Sequence, residues 1–260
     1  MGSFINQLFK YRELLYVLTI REIQIRYKQS ILGLAWAIVQ PLFTMLMFTL
    51  VFSTLLKVPS DNVPYPVFSY GALLFWIYFS NSLARAIPSL ETNAMIIKKI
   101  YFPREFFPIA ATFSSIFDLL IAAVIFLILM LYYDVSFTLY ILYVPLVLII
   151  QTTFTLGVCF FFSAMNAYYR DVKHALPILI QLWMYATPII YPISLVPDRF
   201  RIFYMLNPMT GIIDSYRNIL VKGSPPDLFY LGIAAAGSFF LFVLGYIYFK
   251  RIEMSIADII

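Results

Sequence analysis

Long apolar runs alternate with short charged stretches along this chain, and the runs are too long to be strands or helices of a small soluble core. No charged residue occurs from Ile31 to Leu56. A helix crosses a bilayer with about 20 apolar residues, so residues 31–56 are expected to form a first span. Comparable runs predict further spans at 67–91, 107–133, 137–167, 175–191 and 228–249. The connections at 57–66, at Asp134 and at 168–174 are short, and they are charged or rich in proline. The pattern therefore predicts an all-α integral membrane protein of six transmembrane helices, with residues 1–260 forming a single domain.

Three stretches depart from this alternation. Residues 4–29 mix charge with Leu, Ile and aromatics. Tyr16, Ile20, Ile23, Tyr27 and Ile31 share one helical face, with Arg21, Glu22, Arg26 and Lys28 largely off it. That is the pattern of an N-terminal amphipathic helix lying along a membrane surface, and a helix docked on a protein partner would show it equally. Residues 92–103 are too short for a span and read as a short amphipathic helix in a loop. Residues 192–226 are too long for a turn and too broken by proline for a crossing. They predict two short, half-inserted helices, a geometry that needs cover from protein or water.

Composition supports the membrane reading. The chain is 62% hydrophobic and 12% charged, against about 25% charged in soluble domains. Its mean hydropathy is +0.87. The net charge of +5 comes from cations beside apolar runs, which suits anionic headgroups rather than nucleic acid. Most of them flank one set of span ends, including Lys10, Arg12, Lys98, Lys99, Arg170, Lys173, Lys250 and Arg251. The positive-inside rule then places both termini in the cytoplasm.

Few residues suggest chemistry. Cys159 is the single cysteine and His174 the single histidine, so neither a disulfide nor a metal cluster is expected. No nucleophile elbow, paired-carboxylate run or phosphate-binding glycine loop occurs. An enzyme is not expected, nor ATP hydrolysis by this chain alone, and no cofactor is assigned to it. Arg85 and Asp118 are charges within predicted spans, each costing about 2.5–3.5 kcal/mol to insert. They are expected to pair, directly or through a water, either to fix helix packing or to serve a proton relay or substrate contact. Arg26 and Lys28 are positioned to meet lipid headgroups or a lipid diphosphate. Aromatics form 19% of the chain. Trp36, Phe43, Trp183 and Tyr185 are candidates to stack on sugar rings in a channel, or simply to fill space.

Several segments together resemble a known family. They are Arg26-Tyr27-Lys28…Ser30…Leu32-Gly33…Trp36…Pro41, Tyr169-Arg170-Asp171-Val172, Thr187-Pro188-Ile189-Ile190-Tyr191, Asn207-Pro208-Met209-Thr210 and Tyr216-Arg217. Their order and spacing resemble type-2 ABC exporter permeases for polysaccharides, above all those for O-antigen and teichoic acid, with capsule exporters as near relatives. The resemblance implies a homodimer in the bacterial inner membrane, driven by two copies of a separate ABC ATPase subunit that binds ATP and magnesium. It implies an undecaprenyl-diphosphate-linked polysaccharide as substrate. It makes 93–102 a coupling helix whose ATPase contacts are Asn93, Met95, Ile97, Lys98, Lys99 and Tyr101. It makes 192–226 an outer gate, with Pro188, Pro192, Asn207 and Pro208 at its joints, and lines the channel with the first and fifth spans. Ser30 to Gly33 is expected to join the docking element to the channel. Two other classes fit parts of the pattern. A membrane enzyme on a polyprenyl-linked substrate would need clustered acids, whereas Asp171 and Asp198 are isolated. A small-molecule exporter of the same superfamily would share the loops.

Overall fold

The computed structural model describes residues 2–28, 33–99 and 102–259. All regular structure among them is helical. Five helical stretches are long and apolar enough to cross a membrane: Gly33–Leu55, Tyr65–Ala86, Phe106–Tyr132, Leu139–Tyr168 and Leu228–Glu253. The first consists of a short turn, helix α3 (Trp36–Phe48) and a wider π-helical end, Thr49–Leu55. The others contain α4 (Tyr65–Ala86), α7 (Phe106–Tyr132), α8 (Val144–Tyr168) and α12 (Leu228–Ile259).

The run at 175–191 gives something shorter. Helix α9 (Val172–Tyr185) has 14 residues, about 21 Å at 1.5 Å per residue, and a non-helical turn follows it to Tyr191. Pro188 explains the early stop. It lacks an N–H and disfavours helical geometry at Thr187, whose hydroxyl instead donates to the Trp183 carbonyl at 2.8 Å.

Helix α4 is the axis of the bundle, although it is the least apolar of the five stretches. Tyr70, Tyr78, Phe79 and Leu83 on it are fully buried. Lipid is as apolar as a helix interior, so polar satisfaction rather than hydrophobicity selects the centre. Tyr70 donates to the Ala122 carbonyl (3.2 Å), Ser82 to that of Tyr78 (2.7 Å), and Gln151 to that of Phe75 (2.7 Å). The highly apolar α3, by contrast, buries only Pro41 and Met45.

Helices α8 and α12 meet at Gly157 and Gly245. A Cβ on Gly157 would lie 2.6 Å from the Phe242 Cα, and one on Gly245 would overlap the Gly157 carbonyl. The backbones touch because both side chains are missing.

The N-terminal segment is divided in two, α1 (Gly2–Lys10) and α2 (Arg12–Tyr27), by a turn at Tyr11. Tyr11 packs edge-on to Phe106 at 5.8 Å, and Phe4 lies 5.7 Å from Phe242. Both helices thus lean on one end of the bundle, with Leu18 buried there and Tyr16 exposed. At that same end α5 (Ser89–Thr92) precedes the 93–102 segment, which forms α6 (Ala94–Lys99). The opposite end carries α10 (Asp198–Met205) and α11 (Pro208–Tyr216), with a π-helical turn over Arg217–Val221.

Candidate functional site

Asp118 is where three parts of the chain meet. It follows Ser114 and Ser115 by one helical turn on α7, so all three project from one face. Arg85, in the last turn of α4, donates to Asp118 Oδ2 (2.9 Å) and to Ser115 Oγ (2.9 Å). Arg26, near the end of α2, donates to the same Oδ2 and to Ser114 Oγ (2.8 Å). The Tyr27 hydroxyl donates to the other oxygen, Oδ1. One carboxylate thus holds two guanidiniums and ties the N-terminal segment to two spanning helices. A cavity of about 200 Å³ opens beside it, lined by Trp36, Gln40 and Asn81 among others.

The charge pair expected within the spans is in direct contact. Its third member, Arg26, is turned onto Asp118 and Ser114. Lys28 remains exposed beside Arg21 and Gln24. The signal for Arg26 was the Arg-Tyr dipeptide itself, one donor for each oxygen of a carboxylate, but nothing local pointed to Asp118. Gly33 adopts a left-handed backbone (φ +49°). Ser30 to Leu32, the rest of the expected joint, lie outside the described residues.

The 93–102 segment is fastened on one side and open on the other. Asn93 is buried, accepts from the Arg21 guanidinium, and donates to the Ser89 carbonyl at 2.8 Å. Ile97 is buried as well, whereas Met95 is 78% exposed. Lys98 and Lys99 are also exposed. Tyr101 lies outside the described residues. Just before this segment, Glu91 pairs with Lys173 of α9 at 2.9 Å, and that hydrogen bond holds the Glu91 carboxyl below its usual range.

At the opposite end Asn207 is a hinge pin. Its Oδ1 accepts from Trp183 Nε1 (3.1 Å) and caps α11 through Met209 N (3.2 Å), while its Nδ2 donates to Thr187 Oγ1 (3.0 Å). Pro208 follows at the first helical position, where proline is best tolerated. Pro188 and Pro192 are both buried. Arg217 is buried, with its guanidinium 3.8 Å from the Phe68 ring centre. It donates to the carbonyls of Pro188 and Ile189, and to that of Tyr191 at 3.3 Å. The sequence offered Arg217 only as part of a Tyr-Arg pair, because its partners are backbone atoms.

The four candidate aromatics separate. Trp36, Phe43 and Tyr185 are exposed. Trp183 is half-buried, edge-on to Phe79 at 5.2 Å and to Phe154 at 5.7 Å, and bonded to Asn207. His174 is exposed, and no group of His, Cys, Asp and Glu suited to a metal occurs among the described residues.

Five helical stretches long and apolar enough to cross a bilayer define a multi-pass membrane protein. Residues 13–221 match the ABC-2 type transporter family, and the chain belongs to it. It is similar to the O-antigen export system permease protein RfbA of Myxococcus xanthus, 31% identical over 230 residues and 87% of each chain. A Klebsiella pneumoniae protein of the same name is 29% identical over 249 residues, 95% of each chain. The polysialic acid transport protein KpsM of Escherichia coli is 23% identical over 214 residues, covering 79% of this chain and 80% of its own length.

Proposed function

We propose that this chain is the permease of an ATP-driven exporter that moves an undecaprenyl-diphosphate-linked polysaccharide, most simply an O-antigen, out of the cytoplasm. Two copies would enclose the channel, and two separate ATPase subunits would drive it from the cytoplasmic side of the bacterial inner membrane, where both termini lie. The observation that carries this reading is the similarity to O-antigen export permeases along nearly the whole chain. The junction at Asp118 supports it physically. A push on α2, or on α5 and α6 through Arg21 and Asn93, has rigid polar routes into α4 and α7.

In this reading Met95, Lys98 and Lys99 face the ATPase, and Asn93 and Ile97 anchor the segment that carries them. Arg26 and Lys28 stand at the lipid-diphosphate entrance, with Arg26 also bound to Asp118. Trp36, Phe43 and Tyr185 offer ring faces to the polymer, and Trp183 positions the outer gate through Asn207. Pro188, Pro192 and Pro208 shape that gate.

Reconstitution in proteoliposomes with the cognate ATPase tests the proposal. ATP turnover that depends on this chain, together with lipid-linked polymer appearing across the bilayer, is the expected result. Failure to bind any ATPase subunit would overturn it. Transport of a capsular polymer but not of an O-antigen would retain the exporter and reassign its cargo.

A further inference from the structure

A second surface with one polar end lies away from the Asp118 cluster. It is a groove of about 770 Å³ whose floor is α8 at Gly157 and Phe161 and whose wall is α12 at Leu244 and Gly245. Trp183 of α9 lines it as well, and Arg251 stands on it past the apolar end of α12. Gly157 and Gly245, where the two backbones touch, both lie along it. Apart from Arg251, the lining is almost wholly apolar. Arg251 is exposed and makes no ion pair with any described residue, while its neighbour Lys250 is held by Glu105 (2.7 Å) and Glu253 (2.8 Å).

We propose that this groove holds one acyl chain of an anionic phospholipid, with the lipid phosphate on Arg251. Length and charge support that occupant. Along α12 the groove runs from Leu241 to Arg251, about 15 Å of helix rise, which is half of the roughly 30 Å hydrocarbon core. It therefore spans one leaflet, the depth of one phospholipid chain. The apolar run of α12 begins at Leu228, after an Asp227 cap on Phe229 and Tyr230 (2.9 and 3.2 Å), and it ends at Phe249. Arg251 then falls at headgroup level, where a long cationic side chain reaches the phosphate plane.

Native mass spectrometry tests the site. The full chain is extracted from nanodiscs of equal phosphatidylglycerol and phosphatidylcholine, with matched acyl chains, and the retained lipids are counted. Wild type is expected to retain phosphatidylglycerol selectively. Arg251→Gln is expected to lower that preference about fivefold, the effect of one interfacial cation, and Arg251→Lys to keep most of it. Leu244→Trp, which fills the groove, is expected to lose the bound lipid, whereas Leu120→Trp on an exposed face of α7 is not. Equal retention of the two lipids by wild type, or unchanged preference in Arg251→Gln, would overturn the proposal. So would efficient cross-linking between two copies through Leu244→Cys, which would make a second chain the occupant.

Discussion

Arg26 and Arg85, 59 positions apart in sequence terms that span a whole membrane crossing, donate to the same oxygen of Asp118. The arrangement is unbalanced: two cations face one carboxylate that is nearly enclosed. Removing a cation leaves a one-to-one pair. Removing the anion leaves two guanidiniums facing each other with no counter-charge among the described residues. Asp118→Asn is therefore expected to cost about 3–5 kcal/mol, the range for breaking a buried ion pair. Arg85→Gln should cost about 1.5–3 kcal/mol, in line with a lost hydrogen bond to a charged group. Thermal unfolding of the purified variants would separate the two, and an Arg85→Gln loss as large as that of Asp118→Asn would refute the asymmetry.

Gly33 gives a second test. An added Cβ there has no neighbour within 4 Å. The constraint is the backbone, held at φ +49°, where an ordinary L-residue loses about 1–2 kcal/mol. Gly33→Ala and Gly33→Leu should thus impair the ratio of transport to ATP turnover by similar factors. Gly33→Asn should impair it less, because asparagine tolerates this conformation. A graded loss that follows side-chain volume would show that crowding, not backbone geometry, is at work.

The spans were legible because lipid demands long, mostly apolar runs, and 31–56, 67–91, 107–133, 137–167 and 228–249 supply them, with Arg85, Glu91 and Asp118 as the charges inside. What escaped was decided by partners distant in the chain. The break at Tyr11 lies in a stretch of good helix formers, and it exists because the Tyr11 ring packs on Phe106. The Arg26 contact joins residues 92 positions apart, so no local pattern could announce it. The pairing of Arg85 with Asp118 could be anticipated, since two opposite charges in consecutive spans have few other ways to be satisfied. Arg217 was visible only as a motif, because carbonyl oxygens leave no mark on a sequence.

Two glutamates at the α1–α2 end should give stability opposite dependences on pH. The hydrogen bond from Lys173 lowers the Glu91 pKa from 4.5. Its contribution is present above about pH 4.5 and is lost as pH falls through the lower folded value. Burial is the main cause that raises the Glu105 pKa from 4.5, against the pull of Lys250. The folded state then holds that proton more tightly, so stability falls as pH rises from 4.5 through the folded value. Glu91→Gln should destabilise the protein at pH 7 and do so less at pH 3.5. Glu105→Gln should instead remove a penalty at pH 7. Melting curves at the two pH values check both signs, and parallel shifts for the two variants would contradict the assignment.

Arg217 makes the strongest case for a single side chain shaping the end opposite α1 and α2. Its planar fork reaches the carbonyls of Pro188, Ile189 and Tyr191 at once, in a turn where Pro188 and Pro192 remove N–H groups that could otherwise help close the backbone. Lysine presents a point charge and cannot span this set in the same plane. Arg217→Lys should therefore lose about 1–3 kcal/mol, the cost of a buried acceptor left unpaired. Arg217→Met should lose more, because every one of these carbonyls is then abandoned. The turn should also loosen locally, and hydrogen exchange at Ile189 to Tyr191 would report that directly. Wild-type protection of these amides in Arg217→Met would show that the prolines, rather than the guanidinium, hold the turn.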